Sequence, residues 1–399
     1  MAIKRIVALL CVFPFFSVFT YAQREETNFD RNWLFARYGL QADGSRIEES
    51  NFPQMPQFDD KAWRQLDLPH DWEIEGPFRS DLEGYTGKLP WRGIGWYRKH
   101  FQVSEVEKGK RYFLDFDGAM ANAEVWLNGI KVGERPYGYI SFRVDLTPAL
   151  RWGEENVVAV RLNTEKLGSR WYPGAGIYRH VRLVKTEPVH VAQWGVFVTT
   201  PQVTDERATI ALNVKLQNHR ALAADCSYSV AVYELDADDC TEKKVAFCDK
   251  RKITVPSGGF QEDSVAMEVQ HPKRWNLESP SRYLARVSVY EGEKKVDEYD
   301  TPFGIRTIEF THDNGFLLNG HRVQIKGVCN HHDLGAAVSE AALRRQIKIL
   351  QSFGCNAIRT SHNPPAPELL TLADKMGMLV MDEAFDCWQY GKKEYDYGH

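Results

Sequence analysis

Within residues 327–388 three short apolar runs alternate with two stretches of helical periodicity, and each run gives way to polar residues where it ends. No other part of the chain restricts the fold as much. Residues 323–328 open into Asn330, His331, His332 and Asp333, as a buried parallel strand does on entering a loop. Ser339 as N-cap, Glu340 in the first turn, Leu343, Ile347 and Leu350 at helical spacing, and Gly354 as terminator predict a helix. Residues 356–359 form a second run that ends in Thr360, Ser361, His362 and Asn363 and is stopped by Pro364, Pro365 and Pro367. Leu369, Leu372, Ala373 and Met376 then mark a second helix closed by Gly377. A third run, 378–381, ends in Asp382 and Glu383.

The unit is β-α-β-α-β, with polar groups delivered just past each strand's C-terminal end. In a parallel (β/α) barrel those ends converge, so His331, His332, Arg359, His362, Asn363, Asp382 and Glu383 are the candidate binding residues of one pocket. A doubly wound sheet would gather them too. It ranks lower, because no strand-to-helix turn carries a GxGxxG or GxxxxGK[ST] phosphate loop. The plainer readings are core or loop histidines, a solvated acidic pair at Asp382 and Glu383, and an Arg359 that meets either substrate or a buried carboxylate.

A chain of 399 residues is too long for one core and implies two or three domains. Lys4 and Arg5 precede an apolar run over 6–19, and Thr20-Tyr21-Ala22 offers a cleavage site, so residues 1–22 read as a signal peptide. The run is too short for a comfortable membrane span, and a periplasmic or secreted product without a membrane anchor is expected. Removing the leader takes the formal charge from −4 to about −6, which gives no sign of a nucleic-acid partner. Cys226, Cys240, Cys248, Cys329, Cys355 and Cys387 remain, with no CxxC pair, so neither a zinc site nor a disulfide scaffold is indicated; a bridge among the first three stays open.

Residues 23–185 are short alternating segments between turns and read as all-β, most clearly in the 125–132 hairpin around Asn128-Gly129. Further strands are expected at 112–116, 140–144, 157–162 and 180–184. Trp72, Trp91, Trp96, Trp126 and Trp171 line either a sugar-stacking face or, more commonly for such residues, a sandwich core. Arg170 and Trp171 lie in SRWYPGAGIYR, whose Pro173, Gly174 and Gly176 argue for a shaped loop able to carry recognition. Residues 186–303 continue the alternation, with Ile210, Leu212, Val214 and Leu216 on one face and Leu284, Val287 and Val289 in a later strand, as in an Ig-like sandwich. The charged run 236–252 reads as an exposed hairpin or loop. The third domain spans 304–399. The 94 residues from 306 onward have room for about three of a barrel's eight strands, so an incomplete barrel is expected.

Several motifs together resemble glycoside hydrolase family 2, most closely its β-galactosidases: KGVCNHHDLG, NAIRTSHNPP and MDEAFD in the third domain, and DRNWLFARYG, LPHDWEIEG, GIGWYRKHF, VWLNGIKVG, SRWYPGAGIYRHVRL and PFGIRTIEF before it. The resemblance implies a jelly-roll sugar-binding domain that lends a loop to the active-site rim, an Ig-like sandwich and the start of a (β/α)8 barrel. It implies a retaining exo-acting β-glycosidase with a carbohydrate substrate, first a β-galactosidase, with β-glucuronidase and β-mannosidase as alternatives. His331 and His362 match the two histidines that hold the sugar in that family. The family's acid/base is a Glu preceded by Asn after the fourth strand, and its nucleophile lies on the seventh. Both are expected beyond His399, so no catalytic residue is assigned and the chain alone is expected to be inactive. Asp382 and Glu383 sit side by side on a strand end, point apart, and cannot replace that pair. No cofactor is called for: where some members place magnesium ligands after the acidic pair, this chain has Cys387 and Gln389. The loop after HHDLG is also shorter than in relatives. A non-catalytic carbohydrate-binding remnant is the reading from another class, and homo-oligomer formation stays open.

Overall fold

The computed structural model describes residues 24–41, 43–82, 87–166, 168, 172–331, 339–387 and 389–396. The proposed leader and three candidate residues, His332, Arg170 and Trp171, lie outside them. So does His399, the position past which the catalytic carboxyls are expected.

The first unit is two antiparallel sheets face to face. One has the order Glu25–Asn28, Val181–Thr186, Arg111–Phe116, Phe142–Asp145. The other runs Arg46–Ile47, Trp33–Leu40, Ile94–Gln102, Glu155–Asn163, Ala123–Leu127, Ile130–Arg135, with Arg64–Leu66 also paired to Trp33–Leu40. Alternation does the sorting: Val125, Leu127, Val158, Val160 and Leu162 point inward to meet Leu114, Phe116 and Val144. Asn128 and Gly129 both take positive φ, 52° and 83°, the type I′ turn expected for this hairpin. Trp72 and Trp96 are 0% and 3% exposed, which makes them core and not a sugar-stacking face; Trp126 stacks on Trp96 and Trp91 is half-buried.

The second unit is a seven-stranded Ig-like sandwich among the described residues. Val189–Val203, Arg207–Asn218 and Phe260–Gln270 face Thr241–Val255, Ala224–Leu235, Arg282–Glu291 and Lys294–Phe303. Ile210, Leu212, Val214 and Leu216 meet Val230, Val232, Val287 and Val289 between the sheets, while Leu284 turns to the outer face. Cys226, Cys240 and Cys248 are free thiols. The charged run is not merely solvated: it forms most of a strand, and Asp239 at its turn ion-pairs with both Arg282 and Lys375.

After the small antiparallel sheet Ile308–Thr311, Gly315–Leu318, His321–Arg322 comes the parallel sheet Gly327–Asn330, Ala357–Thr360, Leu379–Met381, with helices α1 (Glu340–Ser352) and α2 (Pro367–Met376) as crossovers. Ser339 caps α1 by accepting from the Ala342 amide, and Gly377 ends α2 at φ 70°. A Cβ at Gly377 would lie 2.1 Å from the Leu277 carbonyl oxygen, so only glycine allows the helix end to seat on the Ig-like unit. Val328, Ile358 and Val380 share a row, and Ile358 packs beneath Leu343, Ile347, Leu369 and Leu372. Residues 323–326 are not strand, and Gly327 and Cys329 are exposed, against the expectation of a buried run. Both helices cover one face of the sheet, so among the described residues the row Cys329, Arg359, Met381 on the other face has no second layer. Among the described residues no helix is long and apolar enough to cross a membrane.

Helix α2 joins the units. At its N-terminal end Glu368 faces His180 and Arg182 of the first sandwich at 3.8 and 3.9 Å. At its C-terminal end the Asp374 carbonyl accepts from Trp275 Nε1 at 2.8 Å, and Lys375 pairs with Asp239. The acid sits at the helix's positive end and the lysine at its negative end, as the macrodipole favours.

Candidate active site

The second strand carries the organising residues. Thr360 accepts from the Glu383 amide at 3.0 Å and donates to Asp382 at 3.2 Å, so one buried hydroxyl pins the end of the third strand to that of the second. This splits the acidic pair: Asp382 is spent on Thr360 and is exposed, while Glu383 turns toward the histidines. One Glu383 oxygen lies 3.0 Å from His362 Nδ1 and the other pairs with Arg359. The carboxylate thereby fixes the orientation of the imidazole. His331, from the end of the first strand, stands edge-on to His362 with centroids 5.1 Å apart and planes at 85°.

Of the two fates open to Arg359, the carboxylate partner is observed. Its guanidinium also donates to Cys329 Sγ at 3.3 Å, and that hydrogen bond, with a second from Ser361, holds the Cys329 thiol below its usual range. Asn363 follows His362 and is buried. Its Oδ1 accepts from Tyr137 of the first sandwich, and its Nδ2 is buried without a partner. Tyr137 in turn packs edge-on against Phe385 at 5.3 Å. Beside it Arg179, also from the sandwich, donates to the Pro364 carbonyl at 3.0 Å.

His331, Arg359, His362 and Glu383 thus form one cluster at the C-terminal ends of the strands, with Asn363 fastened beside it and Asp382 used internally. Tyr137, Arg179, Thr360 and Phe385 were not singled out by sequence reasoning. Thr360 and Phe385 lie inside the recognised motifs, and the tyrosine-rich PYGY following Arg135 was the available sign of a loop. Among the described residues no group of three or more His, Cys, Asp or Glu is placed to hold a metal ion.

The cluster can hold and orient a hydroxyl-rich ligand through its imidazoles and the Asn363 amide donor. Among the described residues it holds no pair of facing carboxyls of the kind that glycoside cleavage uses. The order of two sandwiches followed by parallel strands is shared with one family. Residues 64–170 match the glycosyl hydrolase 2 galactose-binding domain-like model, 189–306 the model for glycosyl hydrolases family 2, and 309–391 that family's TIM barrel domain. The chain belongs to glycoside hydrolase family 2. It is 44% identical over 381 residues to the β-galactosidase BoGH2A of Bacteroides ovatus, covering 94% of this chain and 43% of that protein. A putative β-glucuronidase of Formosa agariphila is 36% identical, with 94% and 35% covered. The crystal structure of a family 2 member from Bacteroides cellulosilyticus superposes with a TM-score of 0.85 at 39% identity, over 94% of this chain and 47% of the other. The chain therefore spans less than half the length of these relatives.

Proposed function

We propose that these residues belong to an exported, retaining β-glycosidase that removes terminal β-galactosyl units, and that they supply its sugar-holding side. The acid/base and nucleophile then come from barrel strands beyond His399. The observation that carries this reading is the Glu383-fixed His362 with His331 across from it, on a chain 44% identical to a β-galactosidase. In that role Glu383, accepting from His362 Nδ1–H, favours the neutral tautomer and the ring orientation in which Nε2 accepts from a sugar hydroxyl. Arg359 pairs with the other Glu383 oxygen and holds the carboxylate in place. Loss of such a positioned acceptor costs more in the transition state than in binding if its hydrogen bond to the hydroxyl strengthens there.

β-Glucuronide hydrolysis is the second reading, supported by the Formosa relative. A panel of nitrophenyl β-glycosides assayed with the full gene product separates them. Turnover of the galactoside supports the first reading, and turnover of the glucuronide without the galactoside overturns it. Recovery of mature protein from the periplasm or medium, beginning near Gln23, tests the export proposal.

A further inference from the structure

Between the first sandwich and the segment carrying Tyr395 and Asp396 lies a cavity of about 430 Å³, within the roughly 300–1,000 Å³ of small-molecule sites. Glu73 lines it. That residue opens a one-turn 3-10 helix, Glu73–Glu75, whose start is pinned by Asp71 Oδ1 accepting from the Glu73 amide at 3.0 Å. Glu73 is 1% exposed, yet its Oε1 is buried with no hydrogen-bond partner. Buried carboxyls are ordinarily paired or hydrogen-bonded, because an unsatisfied one forfeits its hydration for nothing. A ligand in the cavity would supply the missing partner.

The rest of the lining says what kind. Arg92 is near enough to act on the charge of Glu73, but among the described residues it forms no ion pair. Lys166 contributes a second cation, its Nζ 4.6 Å from the Tyr395 ring centroid. Asn122 Nδ2 donates to the Asn163 carbonyl and Asn163 Oδ1 accepts from the Glu165 amide, which leaves one amide group on each side chain for a hydroxyl. Burial holds Glu73 protonated, pushed up to about 8, so the two cations face a neutral acid.

We propose that this cavity binds a saccharide unit bearing a carboxylate, with the carboxylate between Arg92 and Lys166, a hydroxyl on Glu73 and further hydroxyls on Asn122 and Asn163. The site requires no hydrolysis and is measured by binding alone. Calorimetry on the full chain would use methyl β-glucuronide and methyl β-galactoside as probes. The uronide should bind more tightly by about tenfold, the worth of one charge-assisted hydrogen bond, and Arg92→Gln or Lys166→Gln should remove that advantage. His362→Ala should leave it intact, which separates this cavity from the strand-end cluster. Uronide affinity should also fall as the pH rises from about 6 to about 9, because Glu73 ionises among Asp71, Arg92, Lys166 and Asp396; Glu73→Gln should abolish that fall. Equal affinity for both probes, no binding of either, or uronide binding lost in His362→Ala but kept in Arg92→Gln would overturn the proposal. The last of these would leave the glycosidase reading standing. Unfolding midpoints at or above that of the parent show that the variants are folded.

Discussion

Glu73→Gln should stabilise the protein. Burial raises the Glu73 carboxyl from its ordinary 4.5 to about 8, with Asp71 adding to the shift and Arg92 opposing it. An acid raised on folding gives its full stabilisation below the unfolded value and loses it as the pH climbs toward the folded one. At pH 7 the unfolded chain has released the proton and the folded chain has kept it. Two and a half units at about 1.36 kcal/mol each then cost the folded state about 3 kcal/mol. Glutamine has nearly the same shape, carries no charge in either state and escapes this cost. The difference between variant and parent should be near zero at about pH 4, reach about 3 kcal/mol at pH 7, and level off at about 5 kcal/mol above pH 8. Urea unfolding of both proteins at several pH values, followed by tryptophan fluorescence of the first sandwich, reads it directly. A variant that is destabilised at pH 7, or a difference flat across pH, would refute the claim that Glu73 is a buried, unpaired acid.

Acid should weaken the seam between the sandwiches. His190 and His219 stack there at 5.3 Å against Phe113, each with a buried Nε2 that lacks a partner, and burial lowers both below the usual histidine value. Their contribution is complete above about pH 6.5 and is lost as the pH falls, by about 1.4 kcal/mol per pH unit for fully buried His190; His219→Gln should make the urea midpoint less acid-sensitive, and unchanged sensitivity would count against the assignment. Tyr137→Phe removes the donor to Asn363 Oδ1 and should raise KM of the full gene product a few-fold with little change in kcat, corresponding to about 1 kcal/mol for one hydrogen bond; a fall in kcat alone would contradict a positioning role. The chain ending at His399 should not by itself turn over nitrophenyl β-galactoside, and measurable turnover with a trapping reagent bound inside it would show that the carboxylates have been sought in the wrong place.

What could be read from the residues was what local chemistry decides. The caps at Ser339 and Gly377, the Asn128-Gly129 turn and the alternation at Ile210, Leu212, Val214 and Leu216 each specify their conformation within a few residues, and each is found as expected. The strand-end polar groups were legible for the same reason, since a parallel strand must open into a loop where it stops. What stayed hidden depends on contacts between units. Glu383 and Asp382 look equivalent in sequence, and only the hydroxyl of Thr360, more than twenty residues earlier, sends one to His362 and keeps the other. Tyr137 meets Asn363 across 226 positions of sequence, and no periodicity in either segment announces it. Helix α2 shows the same division. Its apolar stripe of Leu369, Leu372 and Ala373 predicts a face packed on a sheet. Its polar face is as consequential, because Glu368 meets the first sandwich and Lys375 with the Asp374 carbonyl meets the second. Charged residues on an exposed helical face usually go unexplained. Here they fix the second strand, and with it His362, relative to a sandwich loop that brings Tyr137. The geometry of the site is therefore set as much by this helix's outer face as by the strand that carries the histidine.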